Sequence, residues 1–252
     1  MARNDYSVEC ERLTNLSIEG GTLIEGLPGL GLVAAIAVDR INDQLGLEHF
    51  GTIHSDEFPP VATFEDGLVH DLVRMHATAD PPVMTLQSDL ALPQSAYEPL
   101  SSCVLSECTE VCDRAIFIAG APAESEEQLG EVVGIATKPA LKEELLEQDI
   151  EVLSERGAVG GITGALVRSC YRAELPATLL IVRAHPFLPD PGAAKAVIET
   201  ALEPLVDFDI ETQPLEDQAE EIREQLSQVA AQYQQITEEQ SSDEPRPMGM
   251  YQ

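Results

Sequence analysis

Residues Gly21–Leu45 read "GTLIEGLPGLGLVAAIAVDRINDQL", and this stretch decides the fold. Gly21–Gly26 is a short apolar run bounded by glycines, the pattern of a buried strand. The loop "GLPGLG" follows, and from Leu30 to Leu45 the apolar residues recur at helical spacing. Strand, glycine-rich turn and helix form the opening half of a βαβ unit. The alternation then repeats along the chain. Apolar runs at Pro81–Gln87, Arg114–Gly120, Glu131–Thr137 and Ala177–Ala184 are predicted strands. Helical patterns occupy Gln94–Cys112, Ala140–Gln148, Gly164–Glu174 and Gly192–Leu205. Such alternation predicts an α/β domain with a largely parallel sheet over residues 1–206. The shorter, more alternating segments His49–Ile53 and Leu68–His76 are expected as antiparallel additions at one side.

The period changes in the C-terminal segment 207–236. Leu215, Ala219, Ile222, Leu226, Val229 and Tyr233 recur every three or four residues amid Glu and Gln, which predicts one amphipathic helix near Pro214–Ile236. Its apolar stripe needs cover from the α/β body or from another subunit, so self-association into a homo-oligomer is expected. Beyond it, Ser241, Ser242, Pro245, Pro247 and Gly249 predict a disordered acidic tail over 237–252, which closes on Met250, Tyr251 and Gln252.

Hydrophobic residues make up 44% of the chain, enough for a sizeable core, so the 45 Asp and Glu against 14 Lys and Arg mark a solvated surface and not a disordered chain. A formal net charge of −31 suits a cytoplasmic protein of an extreme halophile, where molar salt screens self-repulsion. The same charge excludes nucleic acid as a partner, because no Lys/Arg cluster is available to displace counterions. No apolar run reaches the length of a membrane span, and "MARNDYSVEC" lacks the core of a signal peptide. Five cysteines in a chain of this size predict free thiols in a reducing compartment and no disulfide.

Few motifs carry chemistry. The loop holding Gly26, Gly29 and Gly31 sits where backbone amides can hold an anion, yet it reads G-x-x-G-x-G. That matches neither the dinucleotide fingerprint nor a P-loop, so a tight turn with close helix–strand packing is expected. Cys103, Cys108 and Cys112 fall within a predicted helix with no nearby His and are expected as core thiols, and no metal site is expected. His70 and His76 on one strand would lie ~20 Å apart, too far to share an ion. His49 and His54, an odd number apart, would face opposite sides. Ser88 in "QSDL" lacks the glycines of a nucleophile elbow, and no catalytic set is assembled. The candidate ligand pocket lies between the two glycine-rich turns, with Gly160, Gly161 and Gly164 in "GGITG" facing the first loop. His185, at the end of a buried strand where α/β ligand sites often lie, is added to it, and its alternative reading is a structural histidine with its hydrogen bonds satisfied. An enzyme built on that pocket would be a nucleoside-processing hydrolase or phosphorylase; an interaction module without catalysis is the other reading.

Three stretches in order, "GLPGLGLV", "AVGGITGAL" (Ala158–Leu166) and "FLPDPGAAKAVIETALEPL" (Phe187–Leu205) followed by "PLEDQAEEI", resemble the proteasome assembly chaperone family in its archaeal form. The resemblance implies an α/β sandwich akin to nucleoside phosphorylases with a C-terminal helical segment, homo-oligomers, no cofactor and no established catalysis. It also implies a partner, the α subunits of the proteasome core particle. Members that engage it end in a hydrophobic residue, then Tyr, then any residue, the pattern that Met250, Tyr251 and Gln252 present.

Overall fold

The computed structural model describes residues 8–225. In chain order these form β1 (Val8–Arg12), β2 (Gly21–Gly26), α1 (Val33–Leu45) and β3 (Glu48–Ser55), then a small hairpin of β4 (Thr63–Glu65) and β5 (Leu68–His70). The chain continues through β6 (Val73–Ala79), β7 (Pro82–Ser88), α2 (Tyr97–Val111), β8 (Cys112–Pro122), β9 (Val132–Ala136), α3 (Pro139–Glu147) and β10 (Glu151–Val152). After α4 (Gly161–Arg172) and β11 (Ala177–Ala184) comes α5 (Pro191–Val197), which a π-helical turn at Ile198–Leu202 joins to α6 (Glu203–Val206). A further helix, α7, occupies 213–225.

Nine of the strands make one sheet in the order β1-β3-β6-β7-β2-β8-β11-β9-β10. Its centre is parallel: β2 pairs with β7 on one side and β8 on the other, and β8 pairs with β11. The reason is visible in composition, since both faces of these strands are covered and alternate residues feed two separate cores. Ile24, Ile116, Ile118, Leu180 and Val182 pack on one side with Val33, Ala37, Val38 and Ile41 of α1 and with α5. Leu23, Ala115, Phe117 and Leu179 pack on the other with Leu100 and Val104 of α2 and Leu166 of α4. Each fully buried Leu or Ile contributes about 1.5–3 kcal/mol. The layers are therefore helix, sheet, helix. The expectation of an α/β sandwich with a largely parallel sheet holds at the sheet's centre, and the antiparallel additions β3 and β6 are present, both on the β7 side. A further antiparallel pair, β9 with β11, was not anticipated; β9 reads as an apolar run like the parallel strands because it too is partly covered.

α1 stops where Gly46 adopts a left-handed conformation, φ 60°, and donates its N–H to the Asn42 carbonyl. The expected single strand Leu68–His76 is instead two, β5 and β6, broken between His70 and Val73. α7 lays Leu215 and Ala219 against the body, with Leu215 inside the α1/α5 core. The α5 residue Lys195 reaches Glu216 at 2.7 Å, and the Arg40 Nε donates to the Glu211 carbonyl at 2.7 Å. Of the predicted amphipathic stripe, Leu226, Val229 and Tyr233 lie outside the described residues, as do Met250, Tyr251 and Gln252.

Candidate functional site

At the C-terminal ends of the parallel strands, where open α/β sheets bind ligands, a cavity of about 450 Å³ opens between the two glycine-rich turns. Gly29, Gly160, Gly161 and Thr163 line it, with Tyr97 and Ile118. Gly26, Gly31 and Gly164 serve as its foundations. A Cβ on Gly26 would stand 2.6 Å from the Val38 Cβ, so β2 and α1 touch backbone to side chain there. Gly31 has φ 67°, and its Cβ would meet the Ala184 Cβ at 2.9 Å. A Cβ on Gly164 would overlap the Val159 carbonyl at 2.2 Å.

Behind the cavity wall lies a residue the sequence did not single out. Glu25, in the middle of the apolar run of β2, is fully buried. Its carboxylate accepts hydrogen bonds from the Thr163 hydroxyl at 2.9 Å and the Ile118 amide at 3.3 Å, both groups belonging to residues of the cavity wall. No cation offsets its charge, and burial pushes its pKa up to about 7, with the two hydrogen bonds pulling the other way. The carboxyl is thus poised near neutrality one residue away from the cavity, the kind of perturbed group that marks functional sites. It has no open surface of its own, so it can act on an occupant only through Thr163. The sole signal in the sequence was a carboxylate flanked on both sides by buried apolar positions.

His185 does not join the glycine turns. It lines a separate cavity of about 270 Å³ with Pro189, Ile222 and Arg223. Its Nδ1 accepts the Phe187 amide at 3.2 Å, and its own amide donates to Asp190 at 2.8 Å. These bonds shape the turn between β11 and α5, where the other Asp190 oxygen caps Ala193 at 2.9 Å.

A third concavity lies where α1 meets the antiparallel strands. Thr85 donates to the Asn42 carboxamide oxygen at 2.7 Å, Asn42 donates to Gln87 at 2.7 Å, and Gln87 donates to Asp39. Beside this relay, Arg74 grips Asp89 with two bonds of 2.7 and 3.0 Å. Burial works against the Asp89 carboxylate, but the Arg74 bonds and charge outweigh it and hold the pKa below its ordinary value. His70 and His76, expected ~20 Å apart on one strand, sit on two strands, β5 and β6, and line this same cleft. A bulge in β3 between His49 and Gly51 stacks His49 on His76 with ring centroids 5.2 Å apart. The His49 Nε2 and His76 Nδ1 are buried without hydrogen-bond partners. Burial, then the neighbouring His49 and Arg74, push the His76 pKa down to about 4, so the ring is neutral at pH 7. Among the described residues no group of His, Cys, Asp and Glu converges on a metal. The Ser88 hydroxyl donates to the Leu90 carbonyl at 2.8 Å. No helix among the described residues is long and apolar enough to cross a membrane.

The mixed sheet with a parallel centre, helices on both faces and a cavity at the glycine-rich ends define a three-layered mixed α/β fold. The PAC2 family model matches residues 23–230, and the chain belongs to the PAC2 family. Among curated proteins it is 28% identical over 219 residues to MJ0106 of Methanocaldococcus jannaschii, covering 86% of this chain and 89% of that one. Among solved structures it is similar to Pyrococcus furiosus PbaA, described as an archaeal homolog of proteasome-assembly chaperone. The TM-score is 0.82 at 24% identity, covering 94% of this chain and 97% of that one. Pyrococcus furiosus PbaB, described as an archaeal proteasome activator, matches with a TM-score of 0.81 at 20% identity, covering 89% of this chain and 99% of that one.

Proposed function

We propose that the chain is a proteasome-binding factor, of the assembly-chaperone or activator kind, that engages α subunits of the core particle. The observation that supports this reading is membership of the PAC2 family over residues 23–230, joined to likeness in fold to PbaA and PbaB along nearly their whole lengths. A nucleoside-processing enzyme would draw on His185 and the glycine turns together, whereas these line different cavities.

In this reading Met250, Tyr251 and Gln252 dock into the α ring. Tyr brings a large apolar face and a hydroxyl for a polar partner, and Met adds a pliable contact. Two such anchors bind weakly once ordering costs are met, so several copies in a cytoplasmic homo-oligomer supply avidity. The surplus of 45 acidic residues over 14 basic ones makes that association dependent on molar salt. The test is co-purification with the α subunits of the same organism's proteasome in molar salt, comparing the full chain with Tyr251→Ala and with a chain lacking 250–252. Loss of capture by at least about tenfold in both variants is expected from removing a central aromatic anchor. Equal capture by all three chains overturns the docking assignment.

A further inference from the structure

Outside these sites, one pair of nucleophilic side chains stands close together without any role in the function proposed above. Cys10 lies on the edge strand β1 and Cys103 on α2; both are free thiols and half-buried. The geometry that aligns them is a two-rung ladder. Arg12, two residues along β1 from Cys10 and so on the same strand face, reaches Glu107 at 2.8 Å. Glu107 stands one helical turn from Cys103 on the same face of α2. A second bond from Arg12 to Glu110, at 2.7 Å, fixes the register. β1 runs antiparallel to β7, and α2, which leads from the end of β7 back to the start of the parallel β8, runs the same way as β1, so with the Arg12–Glu107 rung in place Cys10 falls opposite Cys103. β1 and α2 pack directly against each other, with Cα atoms of the two elements within 8 Å.

We propose that Cys10 and Cys103 are a reversible dithiol–disulfide site that locks the edge strand β1 onto α2 when the chain meets a low-molecular-weight disulfide oxidant. The two thiols are unequal. The interaction between the two sulfurs pulls the Cys103 thiol below its ordinary range and pushes Cys10 above it, while burial and the Glu107 charge oppose ionisation of both. Cys103 is therefore the attacking sulfur. Its thiolate displaces one thiolate from the oxidant, breaking the S–S bond and forming a mixed disulfide. Cys10 then attacks the Cys103 sulfur and expels the second thiolate. The two protons from Cys10 and Cys103 end on the two released thiols. Two electrons pass from the protein to the oxidant, and a thiol pool reverses both steps.

The full chain is incubated with oxidised glutathione in molar salt, alkylated and mapped by peptide mass spectrometry, and its melting point is followed before and after. The expected product is one cross-linked Cys10–Cys103 peptide, with Cys112 and Cys170, both buried, alkylated only after unfolding. Closing a loop of this length should raise Tm by about 5–10 °C, and dithiothreitol should reverse the rise. Cys10→Ser should stop at glutathionylated Cys103, whereas Cys103→Ser should leave Cys10 largely unreacted. A parent chain that remains fully reduced, accumulates mixed disulfide without the cross-link, or links either cysteine elsewhere overturns the proposal.

Discussion

The two halves of the sheet treat polar side chains in opposite ways. In the parallel centre, β7, β2, β8 and β11 are covered by helices on both sides, and Glu25 is buried there without a cation. In the antiparallel flank, β6 turns Val73, Met75 and Ala77 into the core and Arg74 and His76 into a cleft beside α1. There Asp89 is paired with Arg74, and Asp39 accepts a bond from Gln87. A one-sided sheet can solvate and pair its polar face; a two-sided one leaves a lone acid little choice but to hold its proton. The same acidic chain thus holds one carboxyl raised and another lowered on neighbouring strands.

That contrast gives three measurable differences. The largest belongs to Glu25. Its folded pKa of about 7 exceeds the ordinary 4.5, so the folded state holds a proton that the unfolded state releases. The stability this proton brings is complete below pH 4.5 and is lost as pH rises through 7. Glu25→Gln, which keeps the shape, accepts from the Ile118 amide through its oxygen and donates to the Thr163 hydroxyl through its NH2, should gain about 3 kcal/mol at pH 8 and nearly nothing at pH 4, read by urea unfolding in molar salt. Equal gains at both pH values would show that burial is not what costs Glu25. Next comes Arg74→Ala, which removes both guanidinium bonds to Asp89 and should cost about 2 kcal/mol at pH 7. A loss below about 0.5 kcal/mol would place the pair with ordinary surface bridges. The smallest effect is at His76. Its folded pKa lies below the ordinary 6.5, so its contribution is intact above 6.5 and lost as pH falls towards 4. His76→Phe should match the parent at pH 7.5 and exceed it by about 1 kcal/mol at pH 5. If the two chains lose stability in parallel, the stacked pair with His49 is not the acid-sensitive element.

The parallel half was legible because its signal is local: apolar runs of six to eight residues such as Gly21–Gly26 and Ala177–Ala184 stand between turn residues. The glycine turns were legible for the same reason, and Gly29, Gly160 and Gly161 do meet around one cavity. What could not be read depends on register. A single bulge at His49–Gly51 decides that His49 meets His76, and the β6–β7 register, with Val73 opposite Ser88, brings Arg74 to Asp89. Neither has a composition signature. His185 looked like part of the glycine pocket because it ends a neighbouring strand, but its nitrogen is spent on the turn that follows. Glu25 was hidden among 45 acidic residues, where only its flanks set it apart.

The cavity between the turns has a fixed frame and a free rim. Gly26, Gly31 and Gly164 are locked by contact, so a side chain at any of them would shift β2, α1 or α4. Gly29 and Gly160 are different: both have extended backbone, φ −139° and −101°, and a Cβ at either would meet nothing within 4 Å. Point changes at these two positions can therefore resize and re-polarise the opening at almost no thermodynamic penalty. For protein engineering they are adjustable jaws on a rigid vice, the places to begin a library that gives this scaffold a new small-molecule specificity.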